Sequence, residues 1–238
     1  MSKKNTFEER FTSLLKETFG SNLVSVLLYG SYLSGNFRKN ISDINALIVL
    51  ENPVAEELAR FGSMAAKFIN KNRVTPLVLS KREFLNSADV FPMEYMDIKE
   101  KHKIIHGEDI TEALQMSRKN LRNQLEHELR GAVNTLRQIV ILSRGKERIL
   151  GKQLKKGFGS VITLFRGLLR LKGVDTIPEK SSEVLDKVGE VFSLDVESFR
   201  DFLRYREGEK KEVKELVNRI ISELQSLIKT VDTFELKE

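Results

Sequence analysis

Two short polar stretches, each next to an apolar run, hold the residues of this 238-residue sequence that are best suited to phosphate and metal chemistry. Gly30 and Ser31 directly follow the first apolar run; a glycine lets the main chain approach a phosphate closely, and a serine hydroxyl with nearby amides can bind one. Ser42, Asp43 and Asn45 lie where the next apolar run begins. Because residues two apart on a strand point to one face, Asp43 and Asn45 could offer oxygen ligands to the same cation.

The apolar runs around these residues predict two buried strands, at 23–29 and 44–50. A third strand is predicted at 74–79, where Pro76 cannot donate to a sheet and so belongs at an edge or early in the strand. Apolar residues at helical spacing predict helices at 7–19 and 54–70. Residues 80–85 begin another helix, residues 103–106 predict a short strand, and the stretch 89–107 as a whole has a mixed pattern.

From about residue 117 onward the pattern is helical, which divides the chain into two parts. Helices are predicted at 118–143, 150–171, 181–192, 195–205 and 209–230. Short connections between helices of this length favour an antiparallel bundle. The first part therefore has both strands and helices, and the second part has helices alone.

The Gly-Ser turn, and the Ser-Asp-x-Asn sequence at the start of the next strand, resemble the signature of the DNA polymerase β-type nucleotidyltransferase superfamily. That signature joins an apolar residue, Gly-Ser, a spacer and Asp-x-Asp in an apolar strand. The stretch 87–109 and the sequence Glu128-Leu-Arg-Gly131 resemble bacterial nucleotidyltransferase-like proteins with a helical C-terminal domain. The resemblance implies an α/β (α+β) nucleotidyltransferase-like domain with a small mixed sheet at 1–115, followed by an all-α helical bundle domain at 116–238.

The resemblance assigns nucleotide binding to Gly30, Ser31 and Ser42, and it assigns catalysis and the binding of Mg²⁺ to Asp43 and Asn45. In the superfamily, carboxylates hold two divalent metals that stabilise the attacking and leaving oxygens, and a third acid on a later strand usually helps to activate the nucleophile.

This sequence departs from the superfamily pattern at two of the three acids. Asn45 replaces the second carboxylate; its amide oxygen can ligate Mg²⁺ but brings no charge. The third strand contains no acid, and the nearest acids in sequence are Glu51, Glu83, Glu94 and Asp97. We therefore predict an incomplete metal site.

Charge is distributed in blocks along the chain. Residues 1–115 carry 15 Lys/Arg and 15 Asp/Glu. Residues 116–172 carry 14 Lys/Arg and three Asp/Glu, and residues 173–238 carry 11 Lys/Arg and 16 Asp/Glu. The basic middle block could bind phosphates of a nucleotide or nucleic acid, or it could pack beside the acidic final third. Its two aromatic residues, Phe158 and Phe165, lie at apolar helical positions, which favours a core role over base stacking.

Composition excludes several functional classes. The chain has no cysteine, so disulfides, thiolate metal sites and cysteine nucleophiles are excluded. The first residues lack the apolar stretch of a signal peptide, and no run of apolar residues is long enough to span a membrane. We expect a cytoplasmic protein with no membrane association.

Three hypotheses follow. The first is a degenerate nucleotidyltransferase-fold protein, a pseudoenzyme that binds a nucleotide or a protein partner without turnover. The second is an active Mg²⁺-dependent enzyme that moves a nucleoside monophosphate from a nucleoside triphosphate to a small-molecule or protein hydroxyl. The third is a nucleic-acid-binding protein that uses the basic stretch 116–172, whose affinity would fall steeply with salt.

Overall fold

The computed structural model describes residues 6–33, 42–157 and 161–234. The chain divides into two compact units, Met1–Ser117 and Arg118–Glu238. The first unit contains strands and helices in alternation, and the second contains helices. The α/β (α+β) class of the N-terminal domain and the all-α class of the C-terminal domain are confirmed.

The elements of the first unit follow the predicted order, with one additional helix, the fourth, in the mixed stretch 89–107. They are α1 (Phe7–Phe19), β1 (Leu23–Tyr29), β2 (Ile44–Leu50), α2 (Ala55–Asn72), β3 (Val74–Ser80), α3 (Lys81–Asn86), α4 (Pro92–Glu100) and β4 (His102–Gly107). A short 3-10 helix, Gly30–Leu33, directly follows β1. Helix α3 begins with a capping box in which Ser80 and Glu83 satisfy each other's main-chain N–H groups, as their spacing predicts.

The four strands form one mixed sheet in the order β3-β2-β1-β4. Strand β1 pairs antiparallel with both β2 and β4, whereas β2 and β3 are parallel because α2 connects them as a crossover. Strand β3 lies at the sheet edge, which confirms the placement that Pro76 required.

Helices cover both faces of the sheet, and this explains the continuous apolar runs of β1 and β2. On one face, Val26 and Ile48 pack with residues of α1 and α2, among them Phe11. On the other face, Leu27 and Val49 pack with residues of α3 and α4, such as Phe84 and Ile98. The sheet is therefore a rigid central layer from whose ends polar residues can be presented.

The second unit is a helical bundle. Its helices are α5 (Arg118–Leu142), α6 (Glu147–Gly157), α7 (Val161–Leu171), α8 (Ser181–Phe192), α9 (Glu197–Glu207) and α10 (Val213–Asp232). Helix α5 packs against α6, α7 and α10, and its buried stripe runs from Leu121 to Ile139. Among the described residues, none of the helices combines the length and apolar character needed to cross a membrane.

Candidate functional site

The candidate residues lie together at one end of the sheet. Because β1 and β2 are antiparallel, the end of β1 meets the start of β2, with Tyr29 opposite Asn45. Because β2 and β3 are parallel, the start of β3 lies at the same end, with Thr75 opposite Asn45. The sheet topology therefore places the turn after β1 beside the first residues of β2 and β3.

Gly30 fits closely against Asn45 at the end of β1. Its φ of +75° lies in the left-handed region that favours glycine, and an added Cβ would lie 2.8 Å from Nδ2 of Asn45. Ser31 follows in the 3-10 helix, which packs beside β2, and Ser42 precedes Asp43; both serines are half-buried. The structure thus packs the side-chain amide of Asn45 against Gly30, at the place that a Cβ would occupy.

Asp43 forms an ion pair with an arginine that the sequence analysis did not identify. Nε and Nη2 of Arg73 lie 2.9 Å and 2.8 Å from Oδ1 of Asp43. About half of each side chain is exposed, 52% for Asp43 and 47% for Arg73. The first predicted metal ligand is therefore bound by a cation of the protein itself.

The position of Arg73 follows from the parallel pairing of β2 and β3. Arg73 is the residue between α2 and β3, and its carbonyl oxygen accepts a hydrogen bond from the Ile44 N–H at 2.9 Å. Because Ile44 is opposite Val74, Arg73 lies one position before this pair, beside Asp43. A signal for this contact was present in the sequence, because a strand–helix–strand crossover brings the residues before the two strands together.

The remaining expected acid positions hold neutral residues. Asn45 is half-buried, and Thr75, its partner on β3, is exposed. All seven residues of β3 are uncharged. The place on the neighbouring strand where a third carboxylate could act with Asn45 is therefore taken by a hydroxyl.

Of the four acids considered from the sequence, Glu94 is the one whose charge acts on a residue of this sheet end. Burial raises the pKa of the Tyr29 hydroxyl, and the carboxylate of Glu94 raises it further. Glu83 belongs to the cap of α3, and Glu51 follows the opposite end of β2. Glu94 is exposed on α4, and its carboxylate acts on Tyr29, the residue opposite Asn45.

The donor set does not fit a pair of Mg²⁺ ions. Mg²⁺ sites in proteins depend on carboxylates, and here the only acid of the expected set, Asp43, is paired with Arg73. Across the residues that the structure describes, no group of three or more His, Cys, Asp or Glu side chains could hold a metal ion. The sheet end instead carries a glycine, two serines, a neutral amide and a guanidinium, and the hydroxyl, amide and guanidinium groups can donate hydrogen bonds to phosphate oxygens.

Several cations of the basic stretch 116–172 bind acceptors within the helical unit. A guanidinium nitrogen of Arg118 donates to the main-chain oxygen of Leu171, and Nη2 of Arg166 donates to that of Glu179 at 2.6 Å. Arg118 thus satisfies a main-chain carbonyl at the C-terminal end of α7, and Arg166 binds the segment that precedes α8.

The aromatic residues of the basic stretch give no support to base stacking where they are described. Phe165 is fully buried and packs edge-on against Phe199, with 4.7 Å between ring centroids. Phe158 lies outside the described residues. Phe165 therefore belongs to the core of the bundle.

Comparisons with known proteins point to one family for the first unit. Residues 8–105 match the family model of the nucleotidyltransferase domain. Spectinomycin 9-adenylyltransferases of Staphylococcus aureus are 30% identical over 100 residues, which make up 40% of this chain and 36% of the relatives. This chain thus spans about a third of the length of the curated relatives that it matches.

A solved structure is similar over most of the chain. The crystal structure of spectinomycin adenyltransferase from Enterococcus faecialis with ATP and spectinomycin matches with a TM-score of 0.60 and 17% identity. The match covers 93% of this chain and all of that chain. At this identity the likeness establishes the fold, and it extends the fold relationship to the helical unit.

Proposed function

Because residues 8–105 form a nucleotidyltransferase domain of the DNA polymerase β-type superfamily, we propose that this chain binds a nucleoside triphosphate without two-metal nucleotidyl transfer. One observation carries the proposal: the single carboxylate of the expected set, Asp43, is bound by Arg73. Asn45 and Thr75 occupy the neighbouring positions and bring no negative charge. Such a protein acts by binding, as a nucleotide-responsive regulator that contacts a protein partner.

The proposed phosphate-binding elements are the main chain at Gly30 and the hydroxyl groups of Ser31 and Ser42. Hydroxyl groups donate hydrogen bonds to phosphate oxygens, and a glycine permits close approach of main-chain amides. Support comes from the sheet topology, which places the turn after β1 beside the start of β2.

A serine substitution tests this assignment. Ser31→Ala should weaken ATP binding by about tenfold to a hundredfold, because a hydrogen bond to a charged group contributes about 1.5–3 kcal/mol. Isothermal titration calorimetry measures the effect. Ser63→Ala, at an exposed serine of α2, is the matched control and should bind ATP as the unmodified protein does. Equal affinity of both variants would remove Ser31 from the binding site.

The second candidate is an active transferase, and the similarity to spectinomycin 9-adenylyltransferases favours it. In this alternative, Asp43 and Asn45 support a Mg²⁺-dependent reaction that moves a nucleoside monophosphate from its triphosphate to a small-molecule or protein hydroxyl. Asp43 would then have to release Arg73 and bind Mg²⁺ in its place.

Product analysis distinguishes the two candidates. The protein is incubated with Mg²⁺, α-phosphate-labelled ATP and hydroxyl acceptors that include spectinomycin, and mass spectrometry follows both acceptors and protein. Our proposal predicts bound but unreacted ATP. An adenylylated product that disappears with Asp43→Ala would establish the active enzyme and contradict the proposal.

A further inference from the structure

The main chain holds Arg73 firmly in a conformation that few arginines adopt. Its φ and ψ of 55° and 46° are left-handed, a conformation that helix ends usually give to glycine or asparagine. Its N–H donates to carbonyl oxygens of the last turn of α2, and its own carbonyl accepts from Ile44. The Cα of Arg73 is therefore fixed relative to the start of β2, so the guanidinium extends from a rigid point.

Asp43 orients the guanidinium of Arg73 and leaves some of its N–H donors available for other hydrogen bonds. The two nitrogen contacts go to one oxygen, Oδ1, and they use two of the five N–H donors of the group. With 47% of the Arg73 side chain exposed, donors remain accessible to a ligand. Arginine keeps its charge at all physiological pH values and matches phosphate geometry with paired donors.

The groups beside Asp43 offer a divalent cation few ligands. The charges of Asp43 and Arg73 cancel, and Asn45 and Thr75 are neutral. A divalent cation would have to displace the guanidinium from Asp43 and would find no second carboxylate at position 45 or 75. A phosphate oxygen can instead accept from the N–H donors of Arg73 that Asp43 does not use, so Asp43 need not move.

From this arrangement we infer that Arg73 takes the place of the divalent cation: its guanidinium, held by Asp43, binds the nucleotide phosphates, so that binding requires no metal. The inference rests on the proposed nucleotide-binding function and specifies how the site achieves it. Gly30, Asn45, Asp43 and Arg73 then form one continuous row of phosphate-binding and positioning groups across the ends of three strands.

Calorimetric titration with ATP, in EDTA and in Mg²⁺, tests the inference. The full chain should bind ATP in EDTA with an affinity within about threefold of that in Mg²⁺. Arg73→Asn removes the charge but suits the left-handed conformation, and it should weaken binding in EDTA at least about tenfold, the loss expected for one charge-assisted hydrogen bond. Lys71→Ala removes a charge from an exposed residue of the same helix end and should change the affinity less than twofold.

The outcomes separate the inference from the function on which it rests. ATP binding that appears only with Mg²⁺, or that survives Arg73→Asn unchanged, overturns the role of Arg73 and leaves nucleotide binding standing. No ATP binding by the unmodified protein under either condition overturns the proposed function as well. The comparison of EDTA with Mg²⁺ needs no variant, so the inference stays testable even if Arg73→Asn fails to fold.

Discussion

Gly30 and Asn45 depend on each other where β1 ends. The left-handed φ of Gly30 turns the chain into the 3-10 helix. Because glycine has no Cβ, the amide of Asn45 fits beside it, and Nδ2 of Asn45 lies 2.8 Å from the position that a Cβ would take. A carboxylate at position 45 would face the same glycine, so the close fit does not itself require asparagine. What the asparagine changes is the charge, and that change decides which ligand the site can accept.

Gly30→Ala should lower the free energy of unfolding by about 1–3 kcal/mol and abolish ATP binding, because alanine is strained at this φ and its Cβ collides with Asn45. Urea unfolding and calorimetry measure the two effects. Gly62→Ala is the control, since a Cβ there meets no atom within 4 Å and should stabilise helix α2 by about 0.5–1 kcal/mol. A Gly30→Ala protein that keeps both its stability and its ATP affinity would refute this account of the turn.

The sequence predicted some residues of the site but not the contacts between them. Asp43 and Asn45 could be singled out because their types and spacing fit a known chemical pattern. Arg73 could not be paired with Asp43 from local sequence, because 30 positions separate them and the contact depends on the β2–β3 register. Glu94 raises the pKa of Tyr29 because α4 packs on the sheet, and hydrophobic periodicity does not predict such a contact.

Strands and helices with a clear hydrophobic pattern were predicted more accurately than those without one. Strands β1 and β2 were predicted with their observed bounds, because unbroken apolar runs ended at Gly30 and at the Asn-Pro pair after Glu51. Helix α4 was not predicted within its mixed stretch. It buries residues on more than one side, including Met93 and Ile98, so its polar and apolar residues do not separate into two faces.

Strand β4 is fastened to the segment that follows it by Asp109. Oδ1 of this carboxylate accepts hydrogen bonds from the Thr111 N–H and hydroxyl at 2.8 Å and 2.7 Å, and Oδ2 lies 3.1 Å from Nε2 of His102. Partial burial acts to raise the pKa of Asp109, but the hydrogen bonds from Thr111 and His102 outweigh it and lower the pKa. The ionised carboxylate therefore stabilises the folded state.

Acid should remove this stabilisation. Because the pKa of Asp109 is lower in the folded state, its contribution is complete above the ordinary value of 3.8 and is lost as the pH falls through the lowered value. Below about pH 4, the free energy of unfolding should decrease less steeply with falling pH in Asp109→Asn than in the unmodified protein. Urea unfolding at successive pH values measures this dependence. Asp175→Asn, at an exposed aspartate, controls for the loss of one carboxylate. An acid dependence identical in Asp109→Asn and the unmodified protein would contradict the assignment.

At the scale of the whole molecule, the α/β (α+β) and all-α classes followed from hydrophobic periodicity, and the family followed from one motif. The solved adenyltransferase shares the fold over 93% of this chain at 17% identity, so the architecture persists while most residues differ. A shared fold does not fix activity, because a stable core tolerates changes in the few residues of a site. The charge blocks did not decide between binding and packing for the basic stretch, in which Arg118 and Arg166 donate to main-chain oxygens within the bundle.

We propose that the domain at residues 8–105 binds a nucleotide but does not assemble a two-metal site. Equilibrium dialysis of the full chain against ATP and Mn²⁺, with both ligands counted, tests it most directly. The account predicts one ATP per chain and no more Mn²⁺ than the single ion that ATP itself carries. Two Mn²⁺ ions per bound ATP, with the second lost in Asp43→Ala, would contradict it, and so would the absence of bound ATP.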